Sequence, residues 1–224
     1  MATQFGWLID LDRCIGCDTC AVACKSENNT RPVESPLKFK NLGGAPVLGA
    51  PVGVIADHVS YRWVVKRETG VYPAAKASFV TSSCNHCANP ACMAACPVSN
   101  PDDPSNPGNA IFKRASDGVV LINETVCTGC KQCIVACPYG APQFNSATKK
   151  VEKCTMCVHR LYVSPYVSPG VRTGLAPACV TSCVGNALRF VESFAVADAG
   201  ANAPEGFASP ALTKPSVKFI APRP

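Results

Sequence analysis

The stretch CTGCKQCIVACP, residues 127–138, carries four cysteines and ends in a proline. Cys127, Cys130 and Cys133 recur at every third residue, and Cys137 follows only after a gap of four. Three thiols at this short interval can surround one metal centre when the backbone coils around it with its N–H groups turned inward. The longer last step is about one helical turn, so the fourth side chain projects away from that loop. The spacing therefore predicts that Cys137 ligates a neighbouring centre.

The 224-residue chain has sixteen cysteines, which fall into four groups of four with none left over. In chain order the groups are Cys14, Cys17, Cys20, Cys24; Cys84, Cys87, Cys92, Cys96; Cys127, Cys130, Cys133, Cys137; and Cys154, Cys157, Cys179, Cys183. The spacing C-x2-C-x2-C-x3-C-P is that of bacterial ferredoxins, in which the fourth cysteine ligates the other of two clusters. The sequence therefore predicts four [4Fe–4S] clusters.

The order of the groups predicts two modules with two clusters each. The second and third groups are close together and indicate a contiguous module over residues 78–147. The first and fourth groups flank it, so residues 1–27 and 148–192 are expected to form a second module. Crosswise ligation then gives four hypothetical quartets: cluster 1, Cys14, Cys17, Cys20 and Cys183; cluster 2, Cys24, Cys154, Cys157 and Cys179; cluster 3, Cys84, Cys87, Cys92 and Cys137; cluster 4, Cys96, Cys127, Cys130 and Cys133.

The segments between the groups predict an α+β fold of two fused bacterial-ferredoxin-like modules with insertions. QFGWLID (4–10) indicates a strand, and ALRFVE (187–192) indicates a strand that pairs beside it. AIFKR (110–114) and VVLI (119–122) predict a hairpin, as does PQFNSATKKVEKC (142–154). Helices are expected to be short and confined to the segments after each third cysteine.

Three further segments depart from this compact pattern. Residues 28–77 form an insertion whose YRWVVKRE run (61–68) predicts an extra strand or ribbon, and residues 160–177 enlarge the gap inside the fourth group. The Pro- and Ala-rich residues 193–224 are expected to form an extended C-terminal tail. We expect these insertions to shape contacts with partner proteins.

Charge and hydropathy exclude other classes. Each oxidised cluster with its four thiolates carries about −2, so four of them turn the formal charge of +6 into about −2. The scattered basic residues predict no nucleic-acid surface. No window is apolar for the roughly 20 residues of a membrane helix, and no export signal is apparent, so we expect membrane contact only through a partner.

Disulfides and structural zinc are the alternative uses of the cysteines. Cysteines with only two residues between them rarely have the geometry of a disulfide. Two CxxC pairs can bind zinc, but four complete quartets in ferredoxin order favour iron–sulfur clusters.

A few residues beside the cysteines have two interpretations each. His86 and His159 could donate to a cluster sulfur, although packing or solvent exposure is the simpler interpretation. Tyr139 either shields a cluster from water or packs against other aromatic rings. Lys149, Lys150 and Lys153 could soften the negative charge of the fourth cysteine group, although a solvated face is the expected interpretation.

Four stretches of the sequence resemble the four-cluster iron–sulfur subunits of the dimethyl sulfoxide reductase (molybdopterin oxidoreductase) family. They are FGWLIDLDRCIGCDTCAVACK, SSCNHCANPACMAACP, VCTGCKQCIVACPYGAPQFN, and KCTMCVHR followed by PACVTSC. The resemblance covers residues 4–192. It implies a non-catalytic electron-transfer subunit of a respiratory oxidoreductase. Such a subunit relays electrons between a molybdopterin (Mo/W) catalytic subunit and a membrane quinone-interacting subunit or another redox partner.

Two alternatives stay open within this resemblance. One is the beta subunit of a formate dehydrogenase or hydrogenase complex, and the other is a stand-alone polyferredoxin. The resemblance also implies membrane association through partners. The location is either the cytoplasmic face or the periplasm, the latter by co-export with a partner that bears a twin-arginine signal.

Overall fold

The computed structural model describes residues 3–28, 59–100, 102–164 and 170–223. The strands are Gly6–Asp10 (β1), Arg62–Thr69 (β2), Lys76–Ser83 (β3), Ile111–Lys113 (β4), Val120–Ile122 (β5), Gln143–Asn145 (β6), Lys150–Glu152 (β7), Leu188–Val191 (β8) and Val217–Ile220 (β9). The helices are Thr19–Asn28 (α1), Ala91–Ala94 (α2), Gln132–Ala136 (α3), Val158–Leu161 (α4), Ala178–Thr181 (α5) and Pro210–Thr213 (α6). The insertions predicted to contact partners lie partly outside the described residues, at 29–58 and 165–169.

The first strand is the centre of a three-stranded sheet with the order β8-β1-β9. β8 runs antiparallel to β1, with Trp7 opposite Phe190. β9 runs parallel to β1 on the other side, with Trp7 opposite Val217. Trp7 and Ile9 are buried, as expected for one face of a strand. The strands predicted from QFGWLID and ALRFVE are thus confirmed, and they pair with each other.

The C-terminal segment 193–224 does not form the extended tail that its composition suggested. It contains a 3-10 turn at Val196–Asp198, then α6 and β9. β9 forms because the buried Val217 and Phe219 alternate with the half-buried Lys218, which is the period-two pattern of a strand. This short pattern determines the structure despite the surrounding prolines and alanines, and it completes the sheet around β1.

Two short hairpins connect the cysteine groups, as the sequence predicts. β4 pairs antiparallel with β5, Ile111 opposite Ile122, and β6 pairs antiparallel with β7, Phe144 opposite Val151. In the first turn Gly118 has a φ of +69°, and a Cβ there would lie 2.2 Å from the side chain of Gln4. The glycine therefore lets this hairpin contact the N-terminal segment closely.

The described part of the insertion forms a ribbon of β2 and β3, eight residues long in each strand. This confirms the extra strand or ribbon predicted for residues 61–68. The end of the ribbon at Arg62 and Ser83 is buried, whereas residues 68–78 at the other end are exposed. The ribbon is therefore anchored in the core at one end and projects at the other.

Four of the helices, α1, α2, α3 and α5, contain the third cysteine of a group. The expectation that helices are confined to these places is wrong for α4 and α6. α4 buries Val158 and Leu161, an apolar i,i+3 pair that stabilises a helical turn against the core. The described helices include none that is long and apolar enough to cross a membrane.

The cysteines are part of the hydrophobic core. The larger group of buried side chains packs Trp7, Leu188 and Val217 of the main sheet with cysteines from all four groups. The smaller group joins residues of β4, β5 and β7 to Cys92 and Cys133. The interior is therefore built around the thiols, and these elements position them.

Candidate metal centres

Three pockets in the structure are each lined by four cysteines from two separate stretches of chain. The quartets are Cys14, Cys17, Cys20 and Cys183; Cys84, Cys87, Cys92 and Cys137; and Cys96, Cys127, Cys130 and Cys133. In each pocket, three cysteines of one group are accompanied by the fourth cysteine of another group. This is the pattern expected of clusters 1, 3 and 4.

The remaining four cysteines, Cys24, Cys154, Cys157 and Cys179, are all buried. Burial raises the pKa of Cys24 to about 12, and the nearby thiolates of Cys179 and Cys157 contribute to the shift. Burial also raises the pKa of Cys154, with Cys24 as the next cause. α1, which carries Cys24, packs against α5, which carries Cys179. These four thiols therefore lie in one neighbourhood, as expected of cluster 2.

The donor set fits a polynuclear cluster. All sixteen cysteines lie in the described ranges, and none of them forms a disulfide. No group of three or more His, Cys, Asp or Glu side chains in the described part of the chain is arranged to hold one metal ion. The thiols of each pocket surround a space, as a cube of iron and sulfide requires, whereas a zinc ion needs four donors converging on one point.

Backbone N–H groups donate to several of these sulfurs. The N–H of Met156 lies 3.3 Å from Sγ of Cys154, and the N–H of Ala187 lies 3.3 Å from Sγ of Cys183. The φ of Met156 is +57°, a left-handed conformation that turns the backbone of the loop. Donors placed in this way favour the thiolate over the thiol, which is the form that binds iron.

Two of the cysteine loops require glycine. Gly16 has a φ of +69°, and a Cβ there would lie 2.4 Å from the ring of Phe79. Gly129 has a φ of +73°, and a Cβ there would lie 2.3 Å from the carbonyl oxygen of Lys149. Each glycine sits between the first two cysteines of its group, so the loop can coil while a neighbouring segment covers it closely.

Burial makes most of the thiols difficult to ionise without a cation. It is the main cause that raises the pKa of Cys133 to about 12 and that of Cys157 to about 11. A buried thiolate is stable only beside a compensating positive charge, and the iron ions of a cluster supply it. The residues present therefore fit [4Fe–4S] clusters.

The burial of two cations near the cysteines, Arg62 and Lys153, was not predicted from the sequence. Arg62 is only 1% exposed and Lys153 only 3%. The expected solvated face is therefore wrong for Lys153, which donates from Nζ to the carbonyl oxygens of Val120 and Cys154 and lines the pocket of cluster 3. Lys149 is exposed, as expected. The only available signal for Lys153 was its position directly before a cysteine.

The remaining candidates have distinct surroundings. His86 is fully buried, and burial lowers its pKa, so the ring is neutral; its Nδ1 accepts the N–H of Val120 at 3.1 Å. His159 is exposed and contacts Glu27 at 2.9 Å. Tyr139 stacks on Phe207, so its packing interpretation is confirmed. It also lines the pocket expected for cluster 3, and shielding of that cluster from water stays a prediction.

The quartets expected for clusters 1 and 4 lie nearest the surface. Each contains one exposed cysteine, Cys17 in the first quartet and Cys130 in the fourth. Exposed apolar side chains lie in the same stretches of sequence: Ile15 between Cys14 and Cys17, and Val135 between Cys133 and Cys137. The cysteines expected to hold cluster 2 are all buried.

The fold and the site together define an iron–sulfur protein. Two matches to the family described as 4Fe-4S dicluster domain cover residues 13–100 and 75–193, the second of them more than half of the chain. With sixteen cysteines in two such domains, the chain carries four [4Fe–4S] clusters.

Curated relatives define the type of dicluster protein. The B subunit of sulfite dehydrogenase from Allochromatium vinosum is 36% identical over 71% of this chain and 58% of its own length. The B subunit of anaerobic dimethyl sulfoxide reductase from Escherichia coli is 36% identical over 72% of this chain and 65% of its own length. The B subunit of tetrathionate reductase from Salmonella typhimurium is 37% identical over 70% and 50%, respectively. This protein therefore belongs to the iron–sulfur beta subunits of the dimethyl sulfoxide reductase family, although it spans only about three fifths of the length of the first two relatives.

Proposed function

We propose that the chain consists of two fused ferredoxin-like modules that hold clusters 1 to 4 by crosswise ligation. The three pockets lined by four cysteines each carry this proposal, because each combines a triplet with one cysteine from another group. The module of residues 78–147 holds clusters 3 and 4. Residues 1–27 and 148–192 hold clusters 1 and 2, and β8 of this module pairs with its β1.

The clusters form a row in the order 1, 2, 3, 4. Cys20 and Cys24 lie one helical turn apart on α1 and join clusters 1 and 2. Clusters 3 and 4 are joined in the same way through Cys92 and Cys96. Clusters 2 and 3 are neighbours because Lys153, which lines the pocket that contains Cys84, donates from Nζ to the carbonyl oxygen of Cys154. The exposed ligands of clusters 1 and 4 are therefore at opposite ends of the row.

This order supports the function of a non-catalytic electron relay. One end receives electrons from a redox partner and the other delivers them. By analogy with the reductase and dehydrogenase subunits it resembles, the chain works beside a molybdopterin-containing catalytic subunit and a membrane-anchored quinone-interacting subunit. The chain's own residues ligate the clusters, exclude water from the inner ones and position the two outer clusters near the surface.

Two cysteines four residues apart provide the sharpest test of the ligation pattern. Cys179 belongs to cluster 2 and Cys183 to cluster 1, although Cys179 lies in the short helix α5 and Cys183 follows the end of that helix by two residues. We expect Cys179→Ser and Cys183→Ser in the purified complex to alter different EPR signals, with about four of the roughly sixteen iron atoms affected in each. If both substitutions alter the same cluster, the crosswise assignment is wrong.

A control for the contiguous module of residues 78–147 follows the same logic. Cys133→Ser should affect cluster 4 and Cys137→Ser should affect cluster 3. A stand-alone polyferredoxin is tested separately, by purifying the chain under anaerobic conditions from its native host. Co-purification of a molybdopterin-containing subunit supports the relay in a complex, whereas a monomer with all its iron supports the alternative.

A further inference from the structure

Arg62 is a buried positive charge without a carboxylate partner. It begins β2 and is 1% exposed. Its Nη1 donates to Oγ1 of Thr81 at 2.9 Å, its Nη2 donates to Oγ of Ser83 at 2.8 Å, and its guanidinium carbon lies 4.7 Å from the centre of the Trp7 ring. Among the described residues it forms no ion pair, and its Nε has no hydrogen-bond partner. A buried charge of this kind is costly unless another group of opposite sign compensates it.

The groups of opposite sign near Arg62 are cysteine sulfurs. Oγ1 of Thr81, which accepts from Arg62, also lies 3.3 Å from Sγ of Cys20, a ligand expected for cluster 1. Burial lowers the pKa of Arg62, but the thiolates around it raise that pKa above its usual value. In order of effect these are Cys179, Cys20, Cys154 and Cys24. Three of these four are expected to ligate cluster 2, and α1, which carries Cys24, packs against β2, which Arg62 begins.

A cation in this position shifts the reduction potential of a nearby cluster in a predictable direction. A [4Fe–4S] core takes up one electron from the neighbouring cluster, so the charge of the core and its thiolates changes from about −2 to about −3. A fixed positive charge stabilises the more negative state and therefore raises the reduction potential. Because the site is buried, the charge is only weakly screened by water and salt.

We propose that Arg62 is the counter-charge of cluster 2 and sets the reduction potential of that cluster above the value its buried position alone would give. This role rests on the proposed crosswise ligation, and Arg62 acts without binding iron. It also acts on cluster 1, through Thr81 and Cys20. Cluster 4 lies at the other end of the row and is not affected.

The test is an EPR-monitored redox titration of the intact complex with Arg62→Gln. The signal of cluster 2 is identified as the one altered by Cys179→Ser. We expect the equilibrium constant for the reduction of cluster 2 to fall at least tenfold, which lowers its reduction potential by about 59 mV for one electron. We expect the equilibrium constant for the reduction of cluster 4 to change less than twofold. Arg67→Gln is the matched control, since Arg67 lies on the same strand and donates to the carbonyl of Glu205 at the exposed end of the ribbon.

Arg62→Lys separates charge from shape. It retains the positive charge, so we expect all four clusters to be present and the equilibrium constant of cluster 2 to stay within about threefold of the wild-type value. If the Arg62→Gln protein fails to hold cluster 2, the Arg62→Lys variant tests the proposal instead. Loss of iron in both variants, or an unchanged cluster 2 potential in an iron-replete Arg62→Gln protein, would overturn the proposal. The paired cysteine substitutions test the ligation itself, so a failure there is distinguishable from a failure here.

Discussion

Asp117 joins the two proposed modules, and its replacement by asparagine is the most informative stability test. The residue is fully buried in the turn between β4 and β5. One carboxylate oxygen accepts the Tyr162 hydroxyl at 2.7 Å and lies 3.0 Å from Nε of Arg114. The other accepts the N–H of Val119 at 3.0 Å, and the carbonyl of Asp117 accepts the N–H of Phe5 at 2.7 Å. Asp117→Asn keeps the size of the side chain and removes its charge.

The expected loss of stability in Asp117→Asn follows from these contacts. Removing the charge of one member of a buried ion pair destabilises a protein by about 3–5 kcal/mol. For a chain of this length, 1 kcal/mol corresponds to about 2–4 °C in the unfolding midpoint, so we expect a fall of about 6–20 °C. The control Tyr162→Phe removes only one hydrogen bond to the carboxylate, about 1.5–3 kcal/mol, and so has the smaller effect.

The assay is anaerobic thermal unfolding at a fixed scan rate, followed by the visible absorbance of the clusters, because unfolding with cluster loss is irreversible. Iron is measured first to establish that both variants are fully loaded. A fully loaded Asp117→Asn protein that unfolds within 3 °C of the wild type, a margin of about 1 kcal/mol, refutes the reasoning. A larger loss in Tyr162→Phe than in Asp117→Asn also refutes it.

Two further substitutions test single features, each with a control. Gly129→Ala forces a Cβ within 2.3 Å of the Lys149 carbonyl and should deplete cluster 4, whereas Gly174→Ala has a similar φ of +79° but no atom within 4 Å. The cost of Gly174→Ala is therefore only the conformational one of about 1–2 kcal/mol. Equal iron loss in both variants would contradict the argument that close approach of the Lys149 carbonyl requires a glycine at position 129. Phe219→Ala removes a buried ring of β9 that packs 5.2 Å from Phe207 and should cost about 3–5 kcal/mol in thermal unfolding. Ile220→Ala, at a side chain 38% exposed, should cost less than about 1 kcal/mol, and a similar loss in both variants means that β9 is not an integral part of the core.

Much of the fold could be predicted from local patterns. The hairpins at 110–122 and 142–154 are marked by short β-rich runs between turn residues, and the pairing of β1 with β8 follows from bringing the first and fourth cysteine groups together. The four groups of four cysteines predict the cofactor directly, because few other uses of thiols need that spacing.

Other features depend on long-range contacts that leave little trace in the sequence. The parallel pairing of β9 with β1 joins residues from opposite ends of the described chain, and four residues of alternation give a weak signal within a Pro-rich stretch. Arg62 and Lys153 look like ordinary surface residues in the sequence. Their burial depends on hydrogen bonds to residues distant in the sequence, Thr81 and Ser83 for Arg62 and Val120 for Lys153, and the sequence alone does not indicate these contacts.

The central position of β1 has a consequence for how the protein is made. Trp7 cannot pair with Phe190 and Val217 until these residues, which are synthesised much later, have left the ribosome. At 5–20 residues per second, the interval between Trp7 and Val217 lasts about 10–40 s. Under crosswise ligation the earliest thiols also lack their mates until Cys154 to Cys183 emerge, while the module of residues 78–147 is already complete. Crosswise ligation would therefore allow clusters 3 and 4 to be completed while the chain is still being synthesised, whereas clusters 1 and 2 require its later part.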